Sequence, residues 1–234
     1  MQVVFDSDYN SEEVFTLNKE ESSHLVRVLR MKEGGNVFLT NGKGFFFKSE
    51  ILEANHSRCT LRILSKEKSE EERNFKIHLA IAPTKNIDRI EWLTEKATEI
   101  GVDEISFLLC EHSERKHINL ERLEKIVISA MKQSLKSYKP LIHPLSSFKN
   151  FVEETSSEYK LLACCEGENR GFIKDICSPK SSYTLLIGPE GDFSKNEVDL
   201  ALKNNFSLIT LGSQRLRTET AGLYALSSLH FLNQ

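Results

Sequence analysis

The sequence has little of what marks disulfide-stabilised, metal-binding or membrane proteins. Its 234 residues include five cysteines, an odd number, and no two cysteines have the CxxC spacing of a zinc site. No apolar run approaches the ~20 residues that cross a bilayer. Residues 1–6 also lack the basic and apolar regions of a signal peptide. We therefore expect a cytoplasmic protein with reduced cysteines, and neither a metal nor a membrane as partner.

Widespread catalytic and nucleotide-binding motifs are also missing. The chain has no GxGxxG after its first strand, no GxxxxGK[ST], no GxSxG and no HExxH. These absences disfavour dinucleotide and nucleoside-triphosphate binding, serine hydrolases and zinc proteases. The 31 Lys+Arg and 34 Asp+Glu give a formal net charge of −3. A protein that binds RNA over its whole surface would be basic, so any RNA contact must be local.

The first ~70 residues have the short, β-rich pattern of a small barrel. Two β-rich runs, 36–40 and 45–51, flank an Asn-Gly turn and predict a hairpin. Period-two alternation over 57–64 predicts another strand, and a short helix is predicted around 20–30. Sheets this short usually close or pack to hide their edges. The pattern therefore predicts a small β-barrel domain over residues 1–69.

After a polar stretch at 65–74, which predicts a linker, strands alternate with helices. Strands are predicted at 75–82, 105–109, 160–164, 184–187 and 207–211. Helices are predicted at 87–100 with Gly101 as C-cap, from Asn119 as N-cap, from Ser194 with a Ser-Lys-Asn-Glu capping box, and at 218–231 with Thr218 as cap. This alternation predicts an α/β domain over 74–234, with a mostly parallel sheet covered on both faces. Ligands bind such sheets beyond the carboxyl ends of the strands.

Two loops at such strand ends have unusual compositions. Residues 187–193 read Ile-Gly-Pro-Glu-Gly-Asp-Phe, in which glycines permit close backbone approach and proline fixes a turn. Residues 211–221 read Leu-Gly-Ser-Gln-Arg-Leu-Arg-Thr-Glu-Thr-Ala. Taken singly, the first is typical of a tight strand-to-helix turn and the second of a loop with solvated charges.

Together the two loops resemble those of the SPOUT methyltransferases, and within them the RsmE enzymes, which methylate N3 of a uridine in 16S ribosomal RNA. The resemblance covers nearly the whole chain, because HLVRVLR at 24–30, Lys85, EWLTEKATEIG at 91–101 and SER at 113–115 match further family motifs. It implies a PUA-like β-barrel for RNA followed by a domain with a deep trefoil knot. It also implies S-adenosylmethionine as cofactor, the small ribosomal subunit as partner and a homodimer.

The resemblance assigns a cofactor pocket and an RNA surface. The implied pocket residues are Ile187, Gly188, Glu190, Gly191, Leu211, Gly212, Leu216 and Thr220. The RNA-binding residues that we predict are His24, Arg27, Arg30 and Lys85. Arg27 and Arg30 are predicted to lie one turn apart on a helix, a spacing that can bridge phosphates.

Arg217 and Glu219 are the predicted catalytic residues. A guanidinium near the uracil carbonyls would stabilise the anion that develops when N3 loses its proton. The alternative for Arg217 is a phosphate contact or a salt bridge with Glu219. Glu219 is predicted to orient Arg217, with a role as general base as the alternative. The sequence assigns no residue securely as the base.

Two positions depart from the family pattern. Lys136 stands where an arginine is common, which keeps the charge but loses the bidentate fork. Asp192 stands where a second glycine is frequent, and a carboxylate is favoured at a helix N-terminus. Two other functions stay open. A SPOUT methyltransferase for tRNA or 23S ribosomal RNA is disfavoured by the HLVRVLR segment, and a non-catalytic RNA-binding protein is disfavoured by the two intact loops.

Overall fold

The computed structural model describes residues 1–68, 73–165 and 170–234, which form two compact units. The N-terminal unit contains residues 1–68 and 128–139, and the C-terminal unit contains the rest. The sequence had assigned 128–139 to the second domain. This stretch packs with the first unit because its backbone pairs there: Gly44 N donates to Ser137 O (2.9 Å) and Lys139 N to Gly42 O (3.0 Å).

The N-terminal unit is built on a five-stranded sheet. Its elements are β1 (Val3–Phe5), β2 (Val14–Thr16), α1 (Lys19–Ser23), a π-helical turn (His24–Val28), β3 (Asn36–Thr40), β4 (Phe45–Glu53) and β5 (Thr60–Lys68). The strand order is β1-β3-β4-β5-β2, with β1 parallel to β3 and the other pairs antiparallel. The predicted hairpin is confirmed, with Leu39 opposite Phe47. Within residues 1–68 the end strands β1 and β2 are not paired with each other, so the ladder is open.

Two predictions in this region place one end of a segment wrongly. The predicted linker begins too early, because β5 continues through Lys68; residues 69–72 lie outside the described residues. The predicted helix over 20–30 ends at Val28, and Arg30 has a left-handed backbone with φ 54°. A residue in that conformation terminates a helix, so Arg27 and Arg30 do not share a helical face.

The C-terminal unit is a six-stranded parallel sheet with helices on both faces. Its elements are β6 (Lys76–Ile81), α2 (Ile87–Ile100), β7 (Glu104–Leu109), α3 (Leu120–Gln133, whose last residues belong to the N-terminal unit), β8 (Leu141–Ser147), α4 (Phe148–Glu154), β9 (Tyr159–Ala163), α5 (Ile173–Ile176), β10 (Ser182–Ile187), α6 (Lys195–Lys203), β11 (Ser207–Ile209) and α7 (Thr218–Leu232). The strand order is β11-β9-β10-β6-β7-β8, and every pair is parallel. The predicted α/β class is confirmed.

The C-terminal unit has one hydrophobic core on each face of its sheet, and side chains from β6 alternate between them. Ile77, Leu79 and Ile81 of β6 are buried against α2 and α7. Ala80 of β6 and Ala82, which follows the strand, belong to the core that includes residues of α4 and α6. Both faces of the sheet are therefore covered, which explains the near-continuous apolar runs in its strands. Among the described residues no helix is long and apolar enough to cross a bilayer.

Helix boundaries follow the predicted caps. Gly101 ends α2 with φ 109°, and the Asn119 side chain accepts a hydrogen bond from Arg122 N at the start of α3. Ser194 and Glu197 form the predicted capping box of α6. In α7 the cap residue is Arg217 rather than Thr218, which is the first helical residue.

Candidate active site at the carboxyl edge of the sheet

The carboxyl ends of five neighbouring strands meet in one row. Ile209, Ala163, Ile187, Ile81 and Phe107 are successive register partners across β11, β9, β10, β6 and β7. Because these strands are parallel, the loops that follow them all leave from the same edge. This carboxyl edge therefore brings together the two loops that the sequence singled out.

The loop after β10 is a tight turn that a side chain would disturb. Gly188 is buried, and a Cβ atom there would lie 3.2 Å from the Phe193 ring. Pro189 O accepts a hydrogen bond from Asp192 N at 3.0 Å, which closes the turn. Asp192 has φ 59°, a conformation that glycine adopts freely and that aspartate tolerates. This backbone requirement accounts for the glycine that the family often has there.

Side chains and backbone from three other loops hold this turn. Glu190 Oε1 accepts from Lys85 N (2.9 Å), in the loop after β6, and Asp192 Oδ2 accepts from Cys165 N (2.8 Å), after β9. His112, after β7, has its Nδ1 3.1 Å from Gly191 O and 3.0 Å from Asp192 O. Carbonyl oxygens only accept, so His112 Nδ1 donates. These bonds, chiefly that to Asp192, raise the pKa of His112.

The loop after β6 is braced by Arg115. Its guanidinium donates to the backbone carbonyls of Thr84 and Lys85, and the Lys85 ammonium lies 2.9 Å from Glu114 Oε2. The hydrogen bond to Glu114 raises the pKa of Lys85. Both partners of this ion pair are well exposed, so it adds little stability and leaves Lys85 able to exchange Glu114 for another anion.

The loop between β11 and α7 carries the other group of predicted site residues. Gly212 has φ 106°, where an L side chain is strained, although a Cβ atom there would meet nothing within 4 Å. Leu211 and Leu216 are half-buried, and Thr220 is exposed. Arg217 is exposed at the cap of α7, where its carbonyl accepts from Ala221 N at 2.7 Å.

Glu219 has a different partner from the one predicted. Its Oε1 lies 3.8 Å from Arg89 Nε on α2, and the side chain is 8% exposed. Its Oε2 is buried without a hydrogen-bond partner in the described part of the chain. The predicted pair with Arg217 does not form among these residues, because positions two apart at a helix start face different directions. The prediction that Glu219 orients Arg217 is thus not supported by a direct contact.

The predicted RNA-binding residues are divided between the two units. His24 is half-buried and Arg27 exposed in the π-helical turn, and exposed Arg30 follows that turn. Lys85 belongs to the C-terminal unit. The three N-terminal residues are close in sequence, and Arg27 and Arg30 are both exposed there.

Two family models match this chain. Residues 71–230 match the family model of the RNA methyltransferase domain, and residues 17–64 match the RNA methyltransferase PUA domain. The first match spans well over half of the chain. This chain belongs to the RNA methyltransferase family.

Individual members of the RNA methyltransferase family are similar over almost their full lengths. Ribosomal RNA small subunit methyltransferase E of Bacillus subtilis is 29% identical, with 93% of this chain and 90% of that protein covered. The crystal structure of a "probable rRNA-methyltransferase" from Porphyromonas gingivalis is 40% identical, with a TM-score of 0.92 over 100% of this chain and 98% of that one. The crystal structure of a Ribosomal RNA small subunit methyltransferase E from Neisseria gonorrhoeae, bound to S-adenosyl methionine, is 27% identical. Its TM-score is 0.89, with 100% of this chain and 98% of that one covered.

Sequence reasoning missed three residues of this edge. His112 and Arg115 carry no periodic or motif signal of their own, although Arg115 ends the SER segment that resembles the family. Arg89 was hidden because it is 130 positions away from Glu219 in the sequence, and only folding brings the two residues together. The position of Arg89 next to apolar Ile90 in the predicted helix 87–100 is the one sequence signal that could have indicated a half-buried charge.

Proposed function

We propose that this chain transfers the methyl group of S-adenosylmethionine to N3 of a uridine in 16S ribosomal RNA. Ribosome biogenesis in the cytoplasm is the implied setting. The observation that supports this most directly is the convergence of loops 187–193 and 211–220 at one edge of a parallel sheet. Both loops have the family's composition, and the strand ends that precede them are in register.

The residues at the carboxyl edge fit a cationic, partly apolar cofactor. Glu219 Oε2, a buried carboxylate oxygen without a partner among the described residues, suits a positively charged ligand. Ile187, Leu211 and Leu216 offer apolar surface, and the backbone groups of the glycines at 188, 191 and 212 can read an adenine edge. Glu190 and Thr220 complete this pocket in our proposal. We also propose that these loops form the trefoil knot. The strand order supports this, because β10 lies between β9 and β6, and the next strand in the chain, β11, pairs with the other side of β9.

In the proposed reaction the protein mainly positions the base and stabilises charge. S-adenosylmethionine, when bound, supplies a methyl group that its sulfonium already activates. Arg217 stands at the N-terminus of α7, where a guanidinium and the helix dipole both favour an anion. We propose that the N3 proton passes to water and that Arg217 stabilises the uracil anion, which takes the methyl group as S-adenosylhomocysteine leaves. In this proposal Glu219, which pairs with Arg89, faces the positively charged cofactor and does not orient Arg217.

Saturable binding of S-adenosylmethionine separates this function from that of a non-catalytic RNA-binding protein. Isothermal titration of the full chain should give one site per chain. S-adenosylhomocysteine, which lacks the methyl group and the positive charge, should compete for that site. A chain that binds RNA but neither molecule would overturn the proposed enzyme while leaving the family assignment in place.

Arg27→Ala is expected to weaken binding of 16S ribosomal RNA a few-fold and to lower the slope of log K against log salt by about 1. Arg27 is exposed in the turn that carries the HLVRVLR segment, and we propose that it contacts one phosphate. Filter binding at several salt concentrations measures both quantities. Lys203→Ala, which removes an exposed cation from α6, should leave the slope unchanged. Equal slopes for wild type and Arg27→Ala would remove Arg27 from the RNA surface.

We propose that the enzyme is a homodimer and that α7 contributes to the interface. Tyr224 and Phe231, seven positions apart on one face of α7, are 53% and 80% exposed. Phe231→Ser should raise the dimer dissociation constant about tenfold through lost apolar burial. Analytical ultracentrifugation measures this. Leu202→Ser on α6, at a residue that is 46% exposed, is the control and should not change the constant. A monomeric wild type would contradict the proposal.

A further inference from the structure

A histidine–glutamate–histidine group lies on three neighbouring strands, apart from the carboxyl edge. His78 is on β6, Glu104 begins β7, and His143 is on β8. One ligand atom from each residue lies within 4.8 Å of those from the other two. In sequence these residues are 26 and 39 positions apart, which is why no metal-ligand spacing was visible there.

Strand register brings the three side chains to one face of the sheet. His78 and Glu104 are direct register partners on β6 and β7. Ile105 and Ile142 are register partners on β7 and β8, and Glu104 and His143 are their immediate neighbours in sequence. Ile105 packs in one core and Ile142 packs against it, so by alternation Glu104 and His143 point to the other face. A bulge then places both His143 and Pro144 opposite Ser106.

The separations of the ligand atoms suit a small divalent ion. His143 Nε2 lies 2.8 Å from Glu104 Oε2, and His78 Nδ1 lies 4.0 Å from the same oxygen. Ligands about 2.1 Å from a tetrahedral Zn²⁺ are about 3.4 Å from one another. The observed distances bracket this value, so modest side-chain rotations would give three ligands with a fourth position open to water.

The surroundings prepare His78 for ligation. Its other ring nitrogen, Nε2, lies 2.8 Å from the hydroxyl of buried Ser106, a contact that orients the ring as partners of metal-bound histidines do. The Phe151 ring packs edge-on at 5.2 Å between ring centroids. The three side chains remain 21–39% exposed, so an ion can enter.

We propose that His78, Glu104 and His143 form a Zn²⁺ site that fastens the edge strand β8 to β6 and β7. β8 ends the strand order and pairs only with β7 among the described strands. A ligand set shared by three strands would hold this edge in place. His78 precedes Ile81 by three residues, about 10 Å along the strand, so the ion stands apart from the loops of the carboxyl edge. Its role is structural and independent of the proposed methyl transfer.

Metal titration of the full chain tests this site. ZnCl₂ alone, added to chelator-treated protein and followed by calorimetry, should show one saturable site per chain. His143→Asn, His78→Asn and Glu104→Gln should each weaken binding by at least about tenfold. His56→Asn, which removes an exposed histidine of the N-terminal unit, should leave the affinity unchanged. Co²⁺ bound at the site should show d–d absorption without a thiolate charge-transfer band, which separates it from binding by the five cysteines.

A stability measurement completes the test and covers any variant that folds poorly. Zn²⁺ should raise the melting temperature of wild type and of His56→Asn, but not that of His143→Asn. Because His143 is the most exposed of the three, its replacement should leave the metal-free melting temperature close to that of wild type. The absence of a saturable site, or a site that His143→Asn leaves intact, overturns the proposal. Either result is independent of S-adenosylmethionine binding.

Discussion

Arg217→Ala is expected to slow methyl transfer about 10²–10³-fold, the loss typical of removing one donor that stabilises a developing oxyanion. Arg217 is exposed at the cap of α7, and no ion pair holds it among the described residues, so its guanidinium is available to substrate. Single-turnover kinetics with saturating RNA and cofactor measures the chemical step. The affinity for S-adenosylmethionine should stay within about twofold, because an interaction made in the transition state contributes little to ground-state binding.

Two further variants make the Arg217 result specific. Arg217→Lys keeps the charge but loses the planar fork, so its rate should fall between those of wild type and Arg217→Ala. Arg122→Ala removes an exposed arginine that pairs with Glu91 on α2, and its rate should match wild type. An unchanged rate for Arg217→Ala, or a loss that merely follows lost cofactor affinity, would contradict the catalytic role.

Gly212→Val is expected to weaken S-adenosylmethionine binding about tenfold to a hundredfold. The backbone at Gly212 has φ 106°, and holding a β-branched residue there costs about 1–3 kcal/mol. A Cβ atom at this position meets nothing within 4 Å, so the effect comes from backbone strain in the loop rather than from a clash. Calorimetric titration of the variant with the cofactor measures the change.

Gly34→Val is the matched control for Gly212→Val. Gly34 also has a positive φ, 79°, and open space where its Cβ would be, but it lies in the N-terminal unit. It should suffer a similar loss of stability in thermal unfolding while keeping the cofactor affinity of wild type. Equal cofactor affinities for the two variants would mean that the loop after β11 does not shape the pocket.

The sequence predicted the elements whose signals are local. The Asn-Gly hairpin, the caps at Asn119 and Ser194 and the C-cap at Gly101 are confirmed because each depends on a few adjacent residues. The strands β1, β2 and β8 were missed. Strands of three residues contain too few positions for a period, and β8 combines half-buried and exposed positions with an internal proline and a bulge.

The candidate site was predicted by its loops but not by its long-range partners. The resemblance to a family predicted the loops at residues 187–193 and 211–221, and the parallel register explains why both lie at one edge of the sheet. The Arg89–Glu219 pair and the His112 contacts join parts of the chain that are far apart in sequence. A single sequence carries no signal for such pairs. The same limit applies to residues 128–139, whose packing with the N-terminal unit depends on backbone pairing with residues 42–44.

The decisive test of the proposed function is methyl transfer to ribosomal RNA itself. Small ribosomal subunits that lack the modification should be incubated with the full chain and S-adenosylmethionine labelled in its methyl group, and the RNA nucleosides then analysed by mass spectrometry. The proposed function predicts label in 3-methyluridine at one position of 16S ribosomal RNA. Label in another nucleoside, or no transfer to either subunits or naked 16S ribosomal RNA, would contradict it.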